Sequence, residues 1–166
     1  MFLAIPNMKK SFEIAFNGFH KLIYLLIYLI SGSLFSQNQL IIEAENGVLN
    51  GTNITAEKQG YSGSGYVTGF DNSTDYLDLA INISKAEHYK IEIIYRNDSP
   101  NNTSSDLFID NQFYGEIRWA QTTSFIPLNA ATFQFPAGNH TLRLQYKNAA
   151  VEPDYLIITP VSELPA

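Results

Sequence analysis

The sequence contains no cysteine among its 166 residues. That excludes a disulfide scaffold, cysteine-ligated zinc or iron–sulfur sites and a cysteine nucleophile. Basic residues are scarce: 10 Lys and Arg stand against 16 Asp and Glu, with a sequence pI near 4.9. A nucleic-acid partner would need clustered Lys and Arg to neutralise phosphate, so the composition argues against one. Histidine is nearly missing, and beyond residue 36 only His88 and His140 remain. Charged residues make up only 16% and aromatics as much as 13%, a balance that suits a β-rich protein with stacking surfaces. The length accommodates one domain comfortably.

Residues 1–36 are set apart by their pattern. Lys9, Lys10 and Lys21 precede the dense apolar run Leu22–Ile30, and Ser31, Gly32, Ser33 and Ser36 follow. This basic, apolar, small order is that of a secretory signal peptide. The run from Leu22 to Phe35 falls short of the roughly 20 residues that span a bilayer, although an uncleaved anchor is the alternative. Cleavage after Ser33 or Ser36 predicts a secreted protein, extracellular or in the cell envelope, with no membrane contact once the segment is removed. Residues 37–166 then carry seven Lys and Arg against fifteen Asp and Glu, a net charge of −8. Exported without disulfides, such a chain must draw its stability from packing and from metal.

From residue 37 onward period-2 alternation recurs and no helical face is evident. Tyr76–Ile83 sets Leu77, Leu79, Ile81 and Ile83 on one face, and Tyr89–Tyr95 does the same with Tyr89, Ile91, Ile93 and Tyr95. Strands are also expected at 40–44, 65–70, 106–109, 113–117, 132–135, 141–146 and 155–158, with Asp110-Asn111 as a tight turn. Nine or ten short strands at this spacing predict an all-β jelly-roll sandwich of two antiparallel sheets over residues 37–160. Residues 161–166 read as a tail or the start of a linker. The only helical candidate, Ser84–His88, is too short to stand alone.

Catalytic motifs are wanting. A Ser-His-Asp site needs a base within reach of an activated serine, and both histidines read as exposed loop residues. Gly60-Tyr-Ser-Gly-Ser-Gly65 precedes a strand rather than a helix and does not fit a nucleophile elbow. Asp75 and Asp78 lie three apart on a strand and face opposite sides, so they make poor glycosidase partners. Glu43-Ala-Glu45 is more informative. In an extended strand these two carboxylates share a face and repel unless a cation sits nearby. Calcium accepts six to eight hard oxygens. The loop 57–62 could add carbonyls, and Asp154 a third carboxylate if the first and last strands are neighbours. The alternative is an exposed acidic edge.

Several blocks occur together in order: Ile42-Glu-Ala-Glu45, Gly60-Tyr-Ser-Gly-Ser-Gly-Tyr-Val67, Asp75–Ile83, Tyr89–Arg96, Leu107–Asn111, Pro136–Leu144 and Asp154-Tyr-Leu-Ile-Ile158. From about Leu40 to Thr159 this order resembles the carbohydrate-binding modules of families 6 and 35, more the latter. The resemblance implies a galactose-binding-like jelly roll, a structural calcium and non-catalytic sugar binding beside a glycoside hydrolase or polysaccharide lyase. Glu43, Glu45 and Asp154 match the family's calcium carboxylates. Tyr66 matches its first aromatic, or else belongs to the core. Phe125 stands at the place of a second aromatic, six residues after the only tryptophan, Trp119. Each of these two either reaches the sugar or is packed. Where the family often has Asn, two residues before Asp154, this chain has Glu152, with Asn148 four residues further back.

The resulting expectation is a secreted, monomeric module with a structural Ca2+. It binds a plant or algal polysaccharide through Tyr66, Trp119, Phe125, Asn148 and Glu152, and performs no reaction itself. Its partners would be a polysaccharide or oligosaccharide and a catalytic domain in cis. The rival is an adhesive envelope module that keeps the sandwich and has lost the sugar site.

Overall fold

The computed structural model describes residues 39–101, 103–148 and 151–161. The segment 1–36, read above as a signal peptide, and, apart from Val161, the expected tail lie outside the described residues. Eleven strands are formed among the described residues: β1 (Leu40–Glu43), β2 (Val48–Asn50), β3 (Asn53–Thr55), β4 (Tyr66–Thr68), β5 (Tyr76–Ile83), β6 (Glu87–Asn97), β7 (Thr103–Ile109), β8 (Gln112–Trp119), β9 (Thr122–Phe135), β10 (Gly138–Tyr146) and β11 (Glu152–Pro160). One sheet has the order β1-β11-β6-β9, the other β2-β5-β10-β7-β8, and β3 pairs with β4 alone. Every pairing is antiparallel. The chain is the all-β jelly-roll sandwich expected from its alternation.

The alternating rows meet between the sheets. Leu77, Leu79, Ile81 and Ile83 of β5, with Leu142, Leu144, Leu107, Ile109 and Ile117, form one side of the core. Tyr89, Ile91, Ile93 and Tyr95 of β6, with Leu156, Ile158 and Phe135, form the other. Each such side chain contributes about 1.5–3 kcal/mol when withdrawn from water, which is how the fold dispenses with disulfides. The outward rows carry charge, as where Arg143 grips Asp78 with two bonds of 2.6 and 2.7 Å across the β5–β10 pair.

Three local expectations differ from the structure. His88 is not an exposed loop residue but is half-buried in β6, which a bend at residues 84–85 leads into, Ser84–His88 being too short for a helix as expected. Strand β9 begins at Thr122 rather than near Thr132. Its register against β6 shifts twice, between Ile91 and Glu92 and between Tyr95 and Asn97, and each shift breaks the alternation by which a strand is recognised. His140 is not an exposed loop residue but sits in β10 with only 10% of its side chain accessible.

His140 staples two turns at one pole of the sandwich. Its Nδ1 stands 2.7 Å from Asp110 Oδ2 and its Nε2 stands 3.0 Å from the Pro136 carbonyl. Both neighbours are acceptors, so both ring nitrogens donate only when the imidazole is protonated. The hydrogen bond with Asp110 raises the His140 pKa above its ordinary value. Burial pushes Asp110 upward, but His140 and the Thr141 N–H outweigh it and leave its pKa lowered. The histidine contribution is complete below about pH 6.5 and is lost as pH rises through the raised folded value. The aspartate contribution is complete above about pH 3.9 and is lost as pH falls through the lowered one. His140→Gln should therefore lower the melting temperature by a few degrees at about pH 5.5, and the gap to wild type should close by about pH 9. A gap independent of pH in thermal melts would contradict the assignment.

Candidate functional site

The chain's first and last strands lie side by side, with Glu43 opposite Tyr155. One residue earlier in β11 the register against β6 slips: Pro153 pairs with Tyr95 and Tyr155 with Ile94, leaving Asp154 as the extra residue of a β-bulge. Asp154 falls on the same row of β11 as the buried Leu156 and Ile158 and is itself fully buried, with Pro153 also buried beside it at the bulge. The backbone N–H of Ser62 donates to both of its oxygens at 3.0 Å. Ser62 Oγ donates to Glu43 Oε1 at 2.9 Å, and Ser64 N–H donates to Glu45 Oε1 at 2.7 Å. Segment 62–64 is thus held by three carboxylates from three places in the sequence. Gly63 adopts φ +60°, and a Cβ there would stand 2.1 Å from Glu45 Oε1 and 3.3 Å from Glu43 Cδ. Glycine is required on both counts.

The route to this meeting differs from the one the sequence suggests. Glu43 and Glu45 do not share the face of an extended strand, because β1 ends at Glu43 and Ala44–Asn46 form a 3-10 turn. Convergence comes from the turn after β1 and from the pairing of β1 with β11 instead. Glu43 Oε2 and Glu45 Oε2 are buried with no hydrogen-bond partner. Asp154 has its pKa pushed up to about 6, first by burial and then by the charges of Glu43 and Glu45, against the Ser62 N–H. Among the described residues no three acidic or histidine side chains stand in finished metal-holding geometry. The two partnerless buried oxygens nevertheless leave acceptors that the protein itself does not satisfy. Each such oxygen costs about 1–3 kcal/mol or more. Oxygen-only donors of this kind fit a hard cation such as calcium.

Next to this cradle lies an aromatic group. Tyr66 is flanked by Tyr61, with centroids 5.9 Å apart, and by Phe125 at 5.1 Å. Tyr66 itself is 1% exposed, whereas Tyr61 and Phe125 are half-buried. Burial first, and then the nearby charge of Glu152, raise the Tyr66 pKa. Glu152, at the start of β11, lies opposite Arg96 of β6. Lys58 Nζ stands 2.6 and 2.7 Å from its two oxygens and 2.7 Å from Asp98 Oδ2. Arg96 Nε donates to Asp98 Oδ1 at 2.9 Å, and its guanidinium also bonds the Thr123 carbonyl. The Lys58 and Arg96 bonds outweigh burial and lower the Asp98 pKa.

The five sequence-predicted sugar residues therefore divide. Tyr66, Phe125 and Glu152 come together. Trp119 does not join them: it is 3% exposed, lies 4.8 Å from Tyr95 and donates its Nε1–H to Ser105 Oγ at 3.0 Å. Its ring faces belong to the core. Asn148 accepts from Ser104 N and Oγ at 2.8 and 3.2 Å. With Thr103, Ser104, Glu116, Arg118 and the edge of Trp119 it lines a separate polar cavity of about 300 Å³. Tyr61, Lys58, Arg96 and Asp98 escaped the sequence reading. One signal was present, since Lys58 is the only Lys or Arg between Lys21 and Lys85.

Comparison with known proteins places this geometry. Residues 40–161 match the family model described as carbohydrate binding module (family 35). A cycloisomaltooligosaccharide glucanotransferase from Niallia circulans is 29% identical over 112 residues, which are 66% of this chain and 12% of that protein. The chain thus spans about an eighth of that relative's length. The Podospora anserina GH26-CBM35 beta-(1,4)-mannanase superposes with a TM-score of 0.70 at 26% identity, covering 76% of this chain and 28% of that one. A family 35 module from Clostridium thermocellum gives 0.69 at 17% identity over 75% of this chain and 99% of its own.

The cradle yields a direct test of its own geometry. Gly63→Ala forces a left-handed residue against Glu45 and should cost about 1–3 kcal/mol in urea denaturation. Gly115→Ala, where an added Cβ meets nothing within 4 Å, should stay within about 0.5 kcal/mol of wild type. Equal effects at the two positions would contradict the packing described.

Proposed function

The chain belongs to carbohydrate-binding module family 35, and from that premise we propose that its loop-bearing end binds a plant or algal polysaccharide without transforming it. The observation that carries this reading is the aromatic group Tyr61, Tyr66 and Phe125 beside the hydrogen-bonding side chains of Lys58, Asp98 and Glu152. Sugar C–H faces stack on rings, while polar side chains satisfy the hydroxyls. Tyr61 and Phe125 offer accessible surface, and the buried Tyr66 positions them. A secreted chain, as Lys9–Ser36 suggests, would hold an attached or associated polysaccharide-degrading enzyme at its substrate by raising effective concentration. Two of its relatives by sequence or structure, the glucanotransferase and the mannanase, are themselves carbohydrate-active enzymes far longer than this chain.

In the same proposal Glu43, Glu45 and Asp154 hold a structural calcium ion. Its role is electrostatic: a divalent charge offsets three carboxylates and engages the partnerless oxygens Glu43 Oε2 and Glu45 Oε2. That would fix segment 62–64, and with it Tyr61 and Tyr66 on either side. The burial of Tyr66 and Trp119 favours a second reading, an adhesive module without a sugar site.

Two measurements test the proposal. On a panel of mannans, xylans, galactans, glucans and uronans, affinity electrophoresis should show retardation on at least one. Phe125→Ala should weaken that binding about tenfold, or about 1.4 kcal/mol, with little change in melting temperature. Retardation on none would favour the adhesive module. Chelation should lower the melting temperature by several degrees and added calcium restore it, while Asp154→Asn should abolish the response. A melting temperature indifferent to chelator would remove calcium from the description.

A further inference from the structure

We propose that the loop-end site is built for an uncharged sugar chain and that the Lys58–Glu152 pair decides this, an inference that rests on the sugar site proposed above. Four charged side chains border the aromatics: Lys58 and Arg96 against Asp98 and Glu152. Their charges cancel, and their contacts leave no cation at liberty. A lysine ammonium has three N–H donors. Those of Lys58 face Glu152 Oε1 at 2.6 Å, Glu152 Oε2 at 2.7 Å and Asp98 Oδ2 at 2.7 Å. Arg96 turns Nε and one terminal nitrogen toward Asp98 Oδ1, each at 2.9 Å, and the other terminal nitrogen toward the Thr123 carbonyl. Its planar fork is already engaged by a carboxylate of the protein.

Recognition of a uronate needs an unspent cation, best a guanidinium presenting two parallel N–H bonds. Here a sugar carboxylate would have to displace Glu152 or Asp98 from its partner, leaving a second negative charge in a partly buried setting. Glu152 is only 13% exposed, so water could do little to screen it. The surroundings add to the penalty. Glu57 adjoins Lys58, the carboxylate cradle lies a few residues along the same loop, and residues 37–166 carry a net charge of −8. Hydroxyl groups meet no such obstacle. The carboxylates retain lone pairs that accept O–H donors while Lys58 stays in place. Sugar C–H faces can rest on Phe125 and Tyr61 regardless of charge.

The pair also accounts for a departure from the family pattern. A carboxylate at position 152 would, alone, repel acidic sugars and invite a second cation. With both oxygens on Lys58 it invites no second cation, and it keeps that ammonium from meeting a sugar carboxylate, so the two residues act as one neutral polar group.

Calorimetry on the purified chain, with soluble neutral oligosaccharides of mannose, xylose, galactose and glucose set against soluble oligogalacturonates, tests the inference. At least one neutral ligand should bind tenfold or more tightly than any oligogalacturonate. Glu152→Gln frees Lys58 and makes the quartet net positive, so the ratio of oligogalacturonate to neutral affinity should rise at least tenfold at low salt and fall back at high salt. Asp98→Asn, at a position 43% exposed and thus safe for folding, should move the ratio in the same direction by a smaller factor. Wild-type preference for the oligogalacturonate, or an unmoved ratio in both folded variants, would overturn the inference and leave the sugar site standing. Binding to neither class would overturn both.

Discussion

The pairing of β1 with β11 is the constraint on which the loop end of this molecule depends. It brings Glu43 beside the stretch containing Asp154, and Asp154 lies on the buried row of β11 with Leu156 and Ile158. Neither alone assembles anything. With Asp154 turned outward Ser62 would lose both acceptors, and with β1 unpaired Glu43 would not stand beside it. Together they make a pocket of acceptors into which the N–H groups of Ser62 and Ser64 fit. The loop is therefore fastened by its backbone, and its side chains are left to face elsewhere.

That division explains how one loop serves two purposes in the proposed function. Residues 62–64 are held from below by carboxylates. Lys58 and Tyr61 precede them and Tyr66 follows, all three at the aromatic and charged group. A cation in the cradle would stiffen the segment that presents these side chains, so metal and sugar would be linked through the order of a backbone rather than through shared ligands. The Tyr66 ring, packed between Tyr61 and Phe125, transmits that order to the two rings with accessible surface.

The sandwich could be read from residues because its cause is local and repetitive. Leu77, Leu79, Ile81 and Ile83 alternate without interruption, and all four are buried. Strand β9 escaped because its register shifts move apolar residues off the two-residue beat, and β2 and β3 because three-residue strands with exposed Val48 and Ile54 leave no pattern. The carboxylates of the cradle were legible as residues but not as geometry: no spacing rule reveals that Glu45 sits in a 3-10 turn or that Asp154 is a bulge. The proposed sugar site was hardest. The partnership of Lys58 with Glu152 joins residues 94 apart in sequence, and it exists only because a loop crosses the register of β6 and β11. Trp119 misled for the opposite reason. An isolated tryptophan near a strand end invites a surface role, yet here Ser105 supplies the hydrogen bond that lets the indole be buried.

The same burial bears on how such a module would work. With Trp119 in the core and Tyr66 nearly inaccessible, the stacking surface reduces to parts of two rings, Tyr61 and Phe125. Much of the polar surface beside them is already hydrogen-bonded within the protein. A ligand gains only what exceeds its own desolvation and ordering costs, so each contact would be individually weak and readily broken. Weakness of this kind is compatible with retention only if the bound object is polymeric or the binder is tethered. On a polysaccharide, adjacent units offer the site a new partner whenever one is released. In a longer polypeptide, a linker would keep the module within reach of the same strand. In the proposed function, this end of the sandwich, its cations already paired, is therefore better suited to keeping an enzyme close to a mobile, hydrated chain than to capturing a free sugar.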